Sequence, residues 1–200
     1  MSLGLYIKNR WEEATAVPIC NKNLKDESML KYVTPDYRVK SLFDISPKWL
    51  KRNGYVKVVV DVDNTLLPRD KTIVGPRAMT WIKQCHQQGI NIALISNNGG
   101  DRLKGITRQT NLGCIMKAAK PLPVAYKRLV EAMGGGKVLF VGDQLLTDVL
   151  GAKFSGHPVI WCESMGGAEH FITRCTRKIE GWLIGRLNAS GKMPKERVLQ

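Results

Sequence analysis

Hydrophobic positions along this chain fall into short runs separated by mixed stretches, and the regular alternation begins at residue 56. VKVVVDV (56–62) is a β-branched run of the kind that forms a strand buried on both faces. It breaks at the polar, Pro-containing loop DNTLLPRD (63–70). Pro76 opens a helical pattern that runs through Gln88 and ends at Gly89. A second strand run, INIALIS (90–96), leads into the loop NNGGD, and a helix is expected over 101–111 before the short CIMKA stretch. Pro121 marks the first turn of a further helix that reaches Met133 and stops at Gly134-Gly135-Gly136. KVLFVG (137–142) predicts a third strand, DQLLTDVLGAKFSG a helix, and HPVIW (157–161) a fourth strand. Residues 1–35 read as polar and irregular, with a short helix expected near Tyr6–Ala14.

Strands alternating with helices require right-handed βαβ crossovers. The predicted fold is therefore α/β, a Rossmann-like parallel sheet with helices on both faces. Three units are expected: an N-terminal extension over 1–28, one domain over 29–187 with its core at 56–161, and a C-terminal tail over 188–200. Ligands of such sheets bind at the carboxyl ends of the strands. Those ends carry Asp61-Val62-Asp63, Ser96-Asn97-Asn98 and Gly142-Asp143, with Lys120 in a loop between them. Carboxylates, a hydroxyl and an ammonium at one rim supply oxygen ligands for a hard cation, donors for phosphate oxygens and a nucleophile. The Asp-x-Asp spacing at a strand end puts one carboxylate in place to attack and the second beside the leaving-group oxygen.

These motifs, in this order, resemble the haloacid dehalogenase superfamily of phosphohydrolases. DVDNT (61–65) corresponds to its first motif, Ser96 in LISNN to the second, Lys120 in AKP to the third and GDQLLTD (142–148) to the fourth. MLKYVTPDYRVKSLFDISPKWLKRNG (29–54), KAAKPLP and FITR extend the likeness to the YqeG-like branch, which is similar to phosphatidylglycerophosphate phosphatases. The resemblance implies a phosphoaspartyl intermediate and Mg2+. In it Asp61 is the nucleophile and Asp63 the general acid and base. Ser96, Asn97 and Lys120 bind the phosphoryl oxygens, and Thr65 holds the aspartate loop. The metal is ligated by Asp61, Asp143 and the main-chain carbonyl of Asp63, with Asp148 in an outer supporting place. The 35 positions from Asp61 to Ser96 and the 24 from Ser96 to Lys120 each hold one helix, so no cap domain is expected and the rim should be open.

Composition narrows the picture less than the motifs do. Two hundred residues with 44% hydrophobic content suffice for one core, which excludes collagen-like and low-complexity classes. Five cysteines without a C-x-x-C pair suggest a reducing, cytosolic setting. MSLGLYIKNRWEE has no apolar core of a secretory signal, and no run approaches the ~18 residues that span a bilayer. The net charge of +14 is divided as +5, +4 and +5 over residues 1–60, 61–170 and 171–200. It marks anionic partners without choosing among lipid, nucleic acid and metabolite. In FITRCTRKIEGWLIGRL (171–187), Phe171, Cys175, Ile179, Trp182, Leu183 and Leu187 recur at helical spacing among Arg and Lys residues. That segment fits either a helix docked on the sheet or one whose basic flank meets anionic headgroups on the inner membrane face. The expected activity is Mg2+-dependent hydrolysis of a phosphomonoester, with phosphatidylglycerophosphate as substrate. A phosphatase of nucleic-acid ends, a phosphatase of a soluble metabolite and a silent nucleic-acid-binding protein stay open as alternatives.

Overall fold

A computed structural model describes residues 29–166 and 171–200, and the side chains of 171–177 lie outside the description. The helix expected near Tyr6–Ala14 also lies outside the described residues. Six parallel strands form one open sheet. They are β1 (Tyr37–Val39), β2 (Lys57–Asp61), β3 (Asn91–Ile95), β4 (Cys114–Ile115), β5 (Leu139–Gly142) and β6 (Val159–Cys162), in the spatial order β1-β6-β5-β2-β3-β4. β2 is central, with Val60 opposite Leu94 on one side and Val141 on the other. Every residue of β2 after Lys57 is buried, which is why its sequence shows no polar alternation.

Adjacent side chains of β2 still serve different layers, because successive Cβ atoms point to opposite faces. After a short α1 (Pro47–Arg52), Val58 and Val60 pack with Trp81, Ile82, Leu103 and Ile106 from α2 (Pro76–Gln87) and α3 (Asp101–Thr110). Val59 faces the second layer, with Tyr126 and Leu129 of α4 (Pro123–Ala132), Ala152 of α5 (Leu150–Phe154), and Leu183 and Leu187 of α6 (Phe171–Ala189). Helices therefore cover both faces. The chain carries no inserted cap, since the β2–α2, β3–α3 and β4–α4 connections are single loops among the described residues.

Several elements differ from the sequence reading. The two edge strands, of three and two residues, are too short to leave a periodic signal. The fourth helix starts at Pro123, not in the turn of Pro121, and the Lys120–Pro121 peptide is cis. Lys117 and Ala119 ahead of it have positive φ, 51° and 54°, so this stretch is a shaped loop that cannot propagate a helix. The single helix expected over 143–156 is a π-helical turn, Leu145–Val149, followed by α5. Residues beyond α6 fold back beside β1. Bridges join Arg38 to Glu196 and Ile45 to Leu199, and Leu199 is buried.

Candidate active site

The carboxyl ends of β2, β3 and β5 meet at one rim, as parallel crossovers require. Asp61 is the last residue of β2, Ser96 follows β3 and Asp143 follows β5. Beyond Asp61 the backbone turns back sharply. Asn64, at φ 65°, donates its N–H to the Leu67 carbonyl (2.8 Å), while its side-chain oxygen accepts from the Arg69 N–H (3.1 Å). Asn is among the few residues that take this left-handed conformation at low cost. Thr65 at the heart of the turn is fully buried and receives the Cys162 thiol at 3.9 Å.

One half of the rim is acidic. Carboxylate oxygens of Asp61, Asp143 and Asp148 all lie within 4.8 Å of one another, and all three residues are buried. The Lys120 ammonium sits between two of them, 2.5 Å from Asp61 Oδ1 and 2.5 Å from Asp148 Oδ1. Asp148 Oδ2 also accepts the Gln144 N–H (3.1 Å), so the π-helical turn presents this carboxylate inward. Gly142 makes that approach feasible, because a Cβ on it would stand 2.3 Å from Asp148 Cγ. Burial pushes the Asp61 carboxyl well above its ordinary value, Asp148 and Asp143 add to the rise, and Lys120 opposes it. For Lys120 burial alone would lower the ammonium, but Asp148 and Asp61 outweigh it and hold the group well above its ordinary value.

This set fits a divalent cation. Its donors are all oxygens, the preference of hard cations such as Mg2+ and Ca2+. Three buried carboxylates face one ammonium, so a cation is the charge that lets all three ionise together. Asp148, expected in an outer supporting place, belongs to the close group. The Asp63 side chain does not.

The other half of the rim surrounds Asp63. Its Oδ1 accepts from Arg102 Nη1 (2.7 Å), and its Oδ2 accepts from Asn98 Nδ2 (2.6 Å) and Ser96 Oγ (3.2 Å). Arg102 also donates through Nε to the Lys71 carbonyl (2.8 Å), tying α3 to the loop after β2. The Asn97 carboxamide clamps the main chain of Lys120. Its oxygen accepts the Lys120 N–H (2.6 Å) and its Nδ2 donates to the Lys120 carbonyl (3.2 Å). Trp161 fixes the fourth motif from below by donating Nε1–H to the Asp143 carbonyl (2.8 Å).

All eight residues singled out from the sequence, Asp61, Asp63, Thr65, Ser96, Asn97, Lys120, Asp143 and Asp148, belong to this rim or its supporting turn. Two further residues belong to the rim: Asn98, which the sequence places at the strand end without a role, and Arg102, which it does not single out. Asn98 shares the ISNN string, so its neighbourhood was a usable signal. Arg102 left none, since it looks like any exposed arginine at a helix start.

A haloacid dehalogenase-like hydrolase family profile matches residues 13–156. The chain is 34% identical over 168 residues to the probable phosphatase YqeG of Bacillus subtilis (strain 168), covering 83% of this chain and 98% of that protein. It is 29% identical over 181 residues to phosphatidylglycerophosphate phosphatase 1, chloroplastic/mitochondrial, of Arabidopsis thaliana. That match covers 84% of this chain and 52% of the relative, so the chain spans about half its length. A cobalt-bound deoxy-D-mannose-octulosonate 8-phosphate phosphatase from Haemophilus influenzae aligns with a TM-score of 0.44 at 15% identity, over 68% of this chain and 90% of that one. No helix among the described residues is long and apolar enough to cross a membrane. With its motifs gathered on the rim of a parallel sheet and a family profile matching most of its length, the chain belongs to the haloacid dehalogenase-like hydrolases.

Proposed function

We propose that the chain is a Mg2+-dependent phosphomonoester hydrolase that works through a phosphoaspartyl intermediate on Asp61. The observation that carries this reading is the division of labour between Asp61 and Asp63: the first faces two carboxylates and Lys120, the second faces Arg102, Asn98 and Ser96. An Asp61 oxygen attacks phosphorus while the bond from phosphorus to the ester oxygen breaks, and Asp63 gives its proton to the departing alcohol. Asp63 then takes a proton from water, which attacks the same phosphorus. Inorganic phosphate leaves and Asp61 is restored. Lys120 offsets charge on the phosphoryl oxygens, and Ser96 shifts its hydrogen bond from Asp63 to one of them. Asn97 positions Lys120 through its backbone and stands outside the phosphate shell. Asp61 and Asp143, with the Asp63 carbonyl and with Asp148 beside them, would hold Mg2+, which supplies the charge that aligns and polarises the phosphoryl group.

The substrate we favour is phosphatidylglycerophosphate. The Arabidopsis relative supports it, as does a rim without a cap, which admits a phosphate carried on a surface. A second region favours peripheral contact with anionic membrane. A groove of about 720 Å³ runs between residues 29–33, α5 and α6, where Met29, Phe154, Ile179 and Trp182 expose apolar surface. Leu183 and Leu187 of the same helix are buried in the core, so α6 docks on the sheet and still presents an outer apolar flank. Phosphate release should be measured on phosphatidylglycerophosphate in mixed micelles, sugar phosphates and end-phosphorylated oligonucleotides. Turnover highest on the lipid supports the assignment, and preference for either other class replaces it. Failure on all three together with salt-sensitive RNA retention would overturn the enzyme reading. Absence of sedimentation with anionic liposomes at low salt would remove the membrane contact.

A further inference from the structure

The side of the rim that receives the leaving alcohol carries more positive charge than a general acid needs. Arg102 is consumed by Asp63 and the main chain of the 68–71 loop. Arg69 and Lys117 are not. Arg69 is held by its N–H on Asn64 Oδ1 (3.1 Å) and by one Nη2 donation to Asn98 Oδ1 (3.1 Å). The rest of its guanidinium meets no acceptor among the described residues. Lys117, exposed and at φ 51°, donates its N–H to the Asn98 carbonyl (2.9 Å), and its stem crosses Gly99, where an added Cβ would lie 3.1 Å from Lys117 Cε. Its ammonium likewise has no carboxylate partner among the described residues.

The Arg69 guanidinium and the Lys117 main chain are thus both tied to Asn98, the residue whose Nδ2 holds Asp63 at 2.6 Å. The Asn98 carboxamide, hydrogen-bonded at its oxygen to Arg69 and at its nitrogen to Asp63, links the guanidinium to the carboxylate that serves the leaving group. We propose that Arg69 and Lys117 form a second anion subsite, which binds a negative group on the leaving alcohol of the substrate, a phosphodiester or a carboxylate. The planar fork of Arg69 pairs with two oxygens of such a group, while Lys117 adds a point charge at the open edge. The inference rests on the hydrolase reading and deepens it by stating what the leaving group must carry.

The test compares kcat/KM of the Mg2+-loaded full chain on three monoesters with similar leaving oxygens. These are glycerol 3-phosphate, 3-phosphoglycerate and a glycerol phosphate whose far end bears a glycerol phosphodiester. The wild type should prefer at least one anion-bearing compound over glycerol 3-phosphate by about tenfold or more. The diester arm and the carboxylate arm separate the two sources of charge. Arg69→Gln should shrink the preference severalfold, Lys117→Gln should shrink it less, and Arg69→Lys should restore part of it. No preference in the wild type, or an equal preference in Arg69→Gln, overturns the subsite, because a merely structural arginine would lower all three alike. Calorimetric binding of glycerophosphoglycerol, the diester-bearing product, reads the subsite without turnover. Weaker binding to Arg69→Gln supports it and equal binding overturns it, so silence on all three monoesters counts against the hydrolase reading alone.

Discussion

Asp61 and Asp63 are two residues apart on one backbone, yet their surroundings have opposite charge. Asp61 is buried among carboxylates and shares a single ammonium with Asp148. Asp63 has no acidic neighbour in its hydrogen bonds and is held by a guanidinium, a carboxamide and a hydroxyl. The strand end supplies both side chains, but different partners give them different settings. Asp61 can ionise together with its neighbours only when more positive charge arrives, whereas Asp63 is aimed and restrained from three directions before any substrate binds. Pairs of like groups in unlike settings are how one site runs attack and proton transfer side by side.

The largest effect should come from the acidic half. Asp61→Asn is expected to lower phosphate release by about a thousandfold or more, since the carboxamide cannot attack phosphorus. Near-normal turnover in a colorimetric phosphate assay would dissolve the contrast by moving the nucleophile elsewhere.

Next comes Lys120→Met, which leaves Asp61 and Asp148 buried without their ammonium and should destabilise the fold by about 3–5 kcal/mol. The carboxylates hold Lys120 above its ordinary value of 10.5, so in the wild type this stability is complete at neutral pH. It is lost only as pH rises through the raised value. Urea titrations at pH 7 and above pH 11 should therefore show the wild type approaching the variant at the alkaline end, and parallel curves would contradict the pairing.

A gentler probe of the same half is added Mg2+. At a concentration a hundred times its dissociation constant, the ion should stabilise the fold by about 2.7 kcal/mol. That is worth several degrees in Tm for a chain of this size. The gain should vanish in Asp143→Asn, and an equal gain there would place the cation elsewhere.

Arg102→Gln should have the smallest effect, lowering kcat about tenfold with KM little changed, because the variant loosens Asp63 without touching phosphate. A rise in KM at constant kcat would instead make Arg102 a substrate contact and blur the two halves into one binding surface.

Much of this arrangement was legible in the residues. The β-branched runs ending in Asp61, Ser96 and Asp143 announce buried parallel strands with polar groups at one rim, and the positions of Lys120 and Asp148 follow from the motif order. What stayed hidden depends on long-range placement. Arg102 reaches Asp63 across 39 positions, and only the packing of Leu103 and Ile106 against the sheet orients α3 so that its first turn faces the rim. Asp148 enters the acidic cluster because the chain after Gln144 coils as a π-helical turn, a geometry with no residue pattern of its own. The loop before α4 looked helical because Pro121 resembles Pro123, which is the residue that occupies the first helical turn.

The strip of chain after α6 has a bearing on solubility. β1 spans three residues and would offer its outer N–H and C=O groups to any extended chain nearby. Arg197 N–H donates to the Arg38 carbonyl of β1 (3.0 Å), and in the segment just after β1 Ser46 N–H donates to the Leu199 carbonyl (2.7 Å) and Leu199 N–H to the Asp44 carbonyl (2.9 Å), so the strip lies along this border and engages part of it. The opposite border is β4, whose two residues are too few to seed a ladder. In a parallel sheet this hydrophobic such cover guards against edge-to-edge aggregation, and proteolytic trimming of the strip should uncover a sticky border.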